Sequence, residues 1–160
     1  MTGTAREFLR HTLATLSYRA GKALRSAPAN FSDFRAAPDS RSAGQILAHV
    51  CDLLDWALAL AQGEHRWTDV PAQSWGDDCG RFFSALEALD AYLASEAPLG
   101  RPVEMLLFQG PIADALTHTG QLTMMRRLAG APIRGENYAK AEISAGRVGA
   151  EQAAPRVEFN

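Results

Sequence analysis

Several things are scarce in this chain, and each scarcity removes a class of protein. Cysteine occurs only as Cys51 and Cys79, with no zinc-type spacing, so neither a disulfide framework nor a cysteine zinc module is expected. Reduced, structural thiols and a cytoplasmic location follow. Lysine is scarce beside arginine and the net charge is −2, so no basic face dominates phosphate binding, and nucleic acid is not an expected partner. No charged-then-apolar leader opens the sequence, and no apolar run approaches the roughly 20 residues that span a bilayer. The expectation is a soluble protein without a membrane partner. Gly-rich phosphate loops, strand patterns and a Ser-His-Asp order are missing too, which leaves nucleotide binding and triad hydrolysis without support. What remains is ordinary: 160 residues, 47% hydrophobic and 21% charged, enough for one domain with its own core. The abundance of arginine and alanine hints at a GC-rich bacterial genome, a matter of codons and not of function.

Apolar residues recur at helical spacing through most of the chain. Thr4 and Glu7 form a capping box, and Leu9, Leu13, Leu16, Ala20 and Leu24 behind it predict a first helix to about Arg25, ended by Pro28. Residues 27–39 read as a loop anchored by Phe31 and Phe34. Ser42 and Gln45 form a second capping box, opening a helix to Ala61 with Gly63 as its stop. One face of that helix carries Gln45, His49, Leu53, Trp56 and Leu60. The other carries Leu47, Leu54 and Leu58 beside Cys51 and Asp55, and a helix greasy on two sides suggests a homodimer contact. Residues 64–80 are irregular, with Trp67 and Trp75 placed to pack as a lid over core or pocket. A third helix is expected from about Asp78, through Phe82, Leu86, Leu89 and Leu93, to a stop before Pro98. Residues 99–108 read either as a short helix begun by Pro102 or as an extended connection.

The run from Gln109 to Gly130 predicts the fourth helix, with Pro111 in its first turn, Gly130 closing it and Pro132 beyond. At about 100° per residue, Asp114, His118, Gln121 and Met125 share one stripe, with Leu128 at its edge. Thr123, Arg126 and Arg127 lie opposite. Two adjacent arginines seldom enter a core, so the polar stripe should face inward. Residues 133–160 predict one short helix near Tyr138 to Ile143, with a tail from Gly146 lying loosely on the surface.

An inward acid, imidazole and amide must be paired with something. Asp114 and His118, four apart, can converge on one ion as paired histidines do in helical metal motifs. His49 from the second helix would make a third ligand, leaving open positions of the kind catalytic sites keep. Two imidazoles and one carboxylate suit zinc, nickel, iron or manganese. Gln121 would orient His118 from behind. The same residues also read as a hydrogen-bonded core histidine and a local Asp–His pair stabilising by about 0.2–0.5 kcal/mol. His65, in a polar loop, His11, off the apolar stripe, and Cys51, turned away from His49, stay outside the candidate site.

The run Gly110-Pro111-Ile112-Ala113-Asp114-Ala115-Leu116-Thr117-His118-Thr119-Gly120-Gln121-Leu122, followed by Arg126-Arg127-Leu128-Ala129-Gly130, resembles the last bundle helix of the DinB-like superfamily. Its signature there is His-x3-His followed by Gly-Gln two residues on. His118, Gly120 and Gln121 match the second half, and Asp114 stands where the first histidine usually does. His49, in Ile46-Leu47-Ala48-His49-Val50, resembles the histidine of the family's second helix. The resemblance implies an all-α, up-down-down-up four-helix bundle over residues 1–145, commonly dimeric, with a metal site in a cleft at one end. Characterised relatives include bacillithiol S-transferases and mycothiol-dependent isomerases. By that analogy His49, Asp114 and His118 would hold a divalent transition metal that favours the thiolate of a low-molecular-weight thiol cosubstrate. Thiol transfer to a small-molecule electrophile is the leading expectation. Metal-assisted hydrolysis and a non-catalytic helical binding or stress-response module are the alternatives.

Overall fold

The apolar spacings become five helical segments in a computed structural model that describes residues 2–100 and 103–159. These are α1 (Thr2–Leu24), α2 (Ala43–Ala61), α3 (Trp75–Ala94), α4 (Val103–Leu107) and α5 (Ala113–Leu128). Among the described residues there is no strand, so the protein is all-α. The Ser42–Gln45 box opens α2 as its sequence predicts: Ser42 Oγ accepts from the Gln45 amide at 3.2 Å, and Gln45 Oε1 accepts from the Ser42 amide at 2.9 Å. Gly63 follows α2 with a φ of 84°, the left-handed conformation that a Cβ disfavours.

Three helix starts differ from expectation. α1 is helical from Thr2, so Thr4 lies inside the helix and not at an N-cap. Its early turns are held by a tertiary contact, the Arg6 guanidinium donating to the carbonyls of Leu93 in the last turn of α3 and of Ser95 and Ala97 just beyond it. α3 begins at Trp75 and not near Asp78, because Ser74 Oγ caps it by accepting from the Asp77 amide at 3.1 Å. Pro111 does not open a helix. It lies buried inside a π-helical turn, Phe108–Ile112, that joins α4 to α5 without a break. The Ala113 amide is shared there between the carbonyls of Gly110 and Phe108. Proline has no N–H to give the α-helical ladder and its ring crowds the carbonyl four residues back, and one wider turn absorbs both defects. Pro102, the other expected start, lies outside the described residues.

Helix α2 is the centre of the packing: α3 lies against one side of it and α5 against another, while α1 closes onto α3 and α5. Leu47, Cys51 and Leu54 are buried on one face of α2, and Leu53 and Leu60 on the other. Much of its two-sided apolarity is therefore buried within the chain, with Leu58 half-buried against the core. By length and composition this 19-residue helix is apolar enough to cross a membrane, contrary to expectation, but 72% of that stretch is buried inside the protein.

The face that α5 buries is also not the predicted one. Ala115, Thr119, Leu122, Met125 and Arg126 point into the protein, which leaves Asp114, His118 and Gln121 beside the core. Arg126 is only 5% exposed, and its partners explain why. Its guanidinium donates to the carbonyls of Ala23 and Arg25 at 2.8 Å each and of Ser26 at 3.3 Å, while Nε donates to Ala131 at 2.8 Å. The open carbonyls at the end of α1 are what a buried arginine can satisfy.

The C-terminal segment is docked, not loose. Val148 is buried in the core, Ser17 Oγ donates to its carbonyl at 2.9 Å, and Lys22 Nζ lies 3.0 Å from Glu158. The short helix expected near Tyr138 to Ile143 is a single 3-10 turn, Tyr138–Lys140.

Candidate metal centre

His49 sits near the middle of α2, and Asp114 and His118 occupy the first turns of α5, so the packing of these two helices sets the site. The two carboxylate oxygens of Asp114 face the two imidazoles separately. Oδ2 is 3.6 Å from His49 Nε2 and Oδ1 is 3.5 Å from His118 Nε2. The rings stand edge to face with centroids 4.9 Å apart. One donor atom from each residue lies within 4.8 Å of the others, a grouping that could hold a metal ion.

The donor chemistry fits such an ion. At 3.5 and 3.6 Å the imidazole–carboxylate pairs are too far apart for hydrogen bonds. Ligand atoms about 2.1 Å from a tetrahedral ion would be separated by about 3.4 Å, close to the two imidazole–carboxylate spacings, while the full set of three donors lies within 4.8 Å. His49 is held below the ordinary imidazole value of 6.5, first by burial, then by the positive fields of Arg41 and His118, with Asp114 opposing. Its neutral form, the one with a lone pair to give, is thereby favoured.

Behind His118, Gln121 Oε1 lies 2.7 Å from Nδ1. An amide oxygen at that distance can accept an Nδ1 proton, in the tautomer that keeps the lone pair on Nε2.

The two loop tryptophans part company. Trp67 is the one over the site, with its ring 5.8 Å from His49 and 5.8 Å from Trp56. Trp75 belongs to α3 and packs edge-on against buried Phe31 at 5.1 Å. The loop carrying Trp67 is pinned by Asp52, which is buried on α2. Asp52 accepts from the Val70 amide at 3.3 Å and from Arg81 at 2.6 Å, and Arg81 also reaches Asp55 at 2.6 Å.

Two depressions flank the cluster. One of about 420 Å³ is lined by His118, Gln121, Ile46 and Met125, and one of about 500 Å³ by His49, Asp52 and Val70. Arg41 lines both. The sequence reading missed both Arg41 and Asp52. The position of Arg41 just before the Ser42 cap was legible, but the cleft that gives it meaning is assembled from distant segments.

The remaining candidates stay apart. His11 and His65 are exposed. Burial pushes the Cys51 thiol up to about 12 and the Cys79 thiol up to about 11, so neither is a ready nucleophile. No protein-family model, curated protein or solved structure matches this chain.

Proposed function

We propose that this protein is a metal-dependent enzyme of the DinB-like superfamily, an up-down-down-up four-helix bundle that transfers a low-molecular-weight thiol to a small electrophile. His49, Asp114 and His118 would hold zinc, nickel, iron or manganese. One observation carries the reading: two imidazoles and a carboxylate from two helices converge beside a cleft, at spacings too long for hydrogen bonds and suited to a shared cation. When bound, such an ion supplies a Lewis acid that favours thiolate over thiol at the open side of the site.

The chain's own residues then have defined tasks. His49 and His118 give Nε2 lone pairs, Asp114 offsets one unit of positive charge, and Gln121 fixes the ring of His118. Trp67 shields the His49 side from water. In the transfer itself the thiol proton leaves to solvent and the sulfur electron pair forms the new C–S bond. The leaving group of the electrophile departs with its bonding pair.

Elemental analysis of protein purified without chelator tests the metal. About one equivalent of divalent ion is expected, lost in His49→Ala and in His118→Ala. No metal, with both variants melting as the parent does, would overturn the reading. Turnover screened with glutathione, with other small thiols and without thiol tests the chemistry, since turnover without thiol would mark a hydrolase. The family resemblance also implies a homodimer, which sedimentation equilibrium reads directly.

A further inference from the structure

We infer that Arg41 selects the ligand of this cleft, and that the ligand is a small molecule bearing one carboxylate on an apolar body. This rests on the metal-centre reading only for what lies beside the carboxylate. Arg41 precedes the Ser42 cap and lines both depressions, between the side holding His118 and the side holding His49. A group held there lies beside the ligand cluster whichever way it enters.

Neighbouring arginines are committed and this one is not. Arg35 donates to Ser40 and Gln45, and Arg81 donates to Asp52 and Asp55. Arg41 is exposed and has no hydrogen bond or ion pair among the described residues. A guanidinium presents paired donors in a fixed plane, the shape that a carboxylate accepts with both oxygens.

The walls choose the rest of the ligand. The smaller depression is apolar on its far side, with Ile46, Met125, Met124 and Leu128. Met124 is 56% and Leu128 57% exposed, apolar surface that an amphipathic ligand would cover. Methionines adapt to varied apolar shapes. The other depression carries Asp52 and Asp69, and only Asp52 is neutralised by an arginine. Asp69 accepts from Trp67 Nε1 at 3.0 Å and keeps its charge, so the one guanidinium of the cleft, with an acidic residue in the same lining, suits a monoanion better than a phosphate dianion. A volume of about 420 Å³ is in the range of small-molecule sites.

Calorimetric titration with hexanoate, hexanol and hexyl phosphate tests this on the full chain, both metal-free and zinc-loaded. Hexanoate is expected to bind about tenfold more tightly than hexanol. Arg41→Gln should abolish that gap while leaving hexanol affinity, zinc content and melting temperature unchanged, and Arg41→Lys should keep only part of it. Failure of hexanoate to bind, equal binding of acid and alcohol, a gap that survives Arg41→Gln, or a preference for hexyl phosphate would each overturn the assignment. The two readings fail separately. A carboxylate preference in protein that takes up no zinc removes the metal centre and keeps Arg41, whereas stoichiometric zinc without the preference removes Arg41 alone.

Discussion

Replacing Gln121 by alanine removes one hydrogen bond and nothing that would touch the ion. Its amide oxygen sits 2.7 Å from His118 Nδ1, three residues away on the same helix. Without it the imidazole can carry its proton on either nitrogen, and the tautomer protonated at Nε2 cannot ligate through that atom, the one that faces Asp114. Partners of this kind are worth about 10- to 100-fold in metal affinity. Two features place the effect at the lower end. Gln121 is exposed, so water can replace the amide, and His118 has a side chain only 12% exposed, so packing already restrains its ring. Zinc affinity is therefore expected to fall about tenfold, or about 1.4 kcal/mol. Competition with a zinc-chelating fluorophore measures it, with His118→Ala as the variant that loses binding and Gln121→Glu as one that keeps it. If Gln121→Ala binds zinc as the parent does while His118→Ala does not, His118 is oriented by something else.

Arg126→Met should cost about 3 kcal/mol, because it strips buried carbonyls at the end of α1 of their donor. Urea unfolding reads this, and a loss below about 1 kcal/mol would show that water replaces the guanidinium freely. The depressed proton affinity of His49 has a definite sign. The unfolded chain takes up this proton first as pH falls, so the stability of metal-free protein should be full above the ordinary value of 6.5 and decline between there and the lowered folded value. Urea midpoints across that window should slope less in His49→Gln, and identical slopes would refute the assignment. Asp52→Ala should release the Trp67 loop, since it removes the acceptor of the Val70 amide and one partner of Arg81. Faster hydrogen exchange at Val70 and a cost of about 3 kcal/mol are expected. An unchanged Val70 amide would mean that the loop is held elsewhere.

Local chemistry was legible where the partners are close in the chain. The Ser42–Gln45 box lies within one turn, so its two hydrogen bonds follow from adjacency. The Asp114–His118 spacing and the position of Gln121 one turn later are helical geometry, and they needed only the helix itself. By the same logic, the apolar spacings of α1, α2 and α3 marked helices whatever they packed against.

What α5 packs against was a different matter. Periodicity grouped Asp114, His118 and Gln121 on one stripe, but the direction of that stripe depended on where the unsatisfied carbonyls of α1 lie. Arg126 answers them and turns inward, which leaves the polar stripe at the cleft and not in the core. The joining of α4 to α5 through Pro111 was likewise decided by packing, because a buried π turn tolerates the missing N–H that isolated propensity counts against a helix.

By itself the sequence determined the all-α character, the Ser42–Gln45 cap and the candidate ligands, since these depend on residue type and on separations within a turn or two. Only the tertiary structure decided that His49 meets Asp114, that Trp67 lies against His49 while Trp75 serves the core, and that Arg41 lines two clefts. Each of those facts is a distance between residues far apart in the chain. Such distances are set by how whole helices bury their apolar faces and satisfy one another's open ends, a balance that no single segment contains.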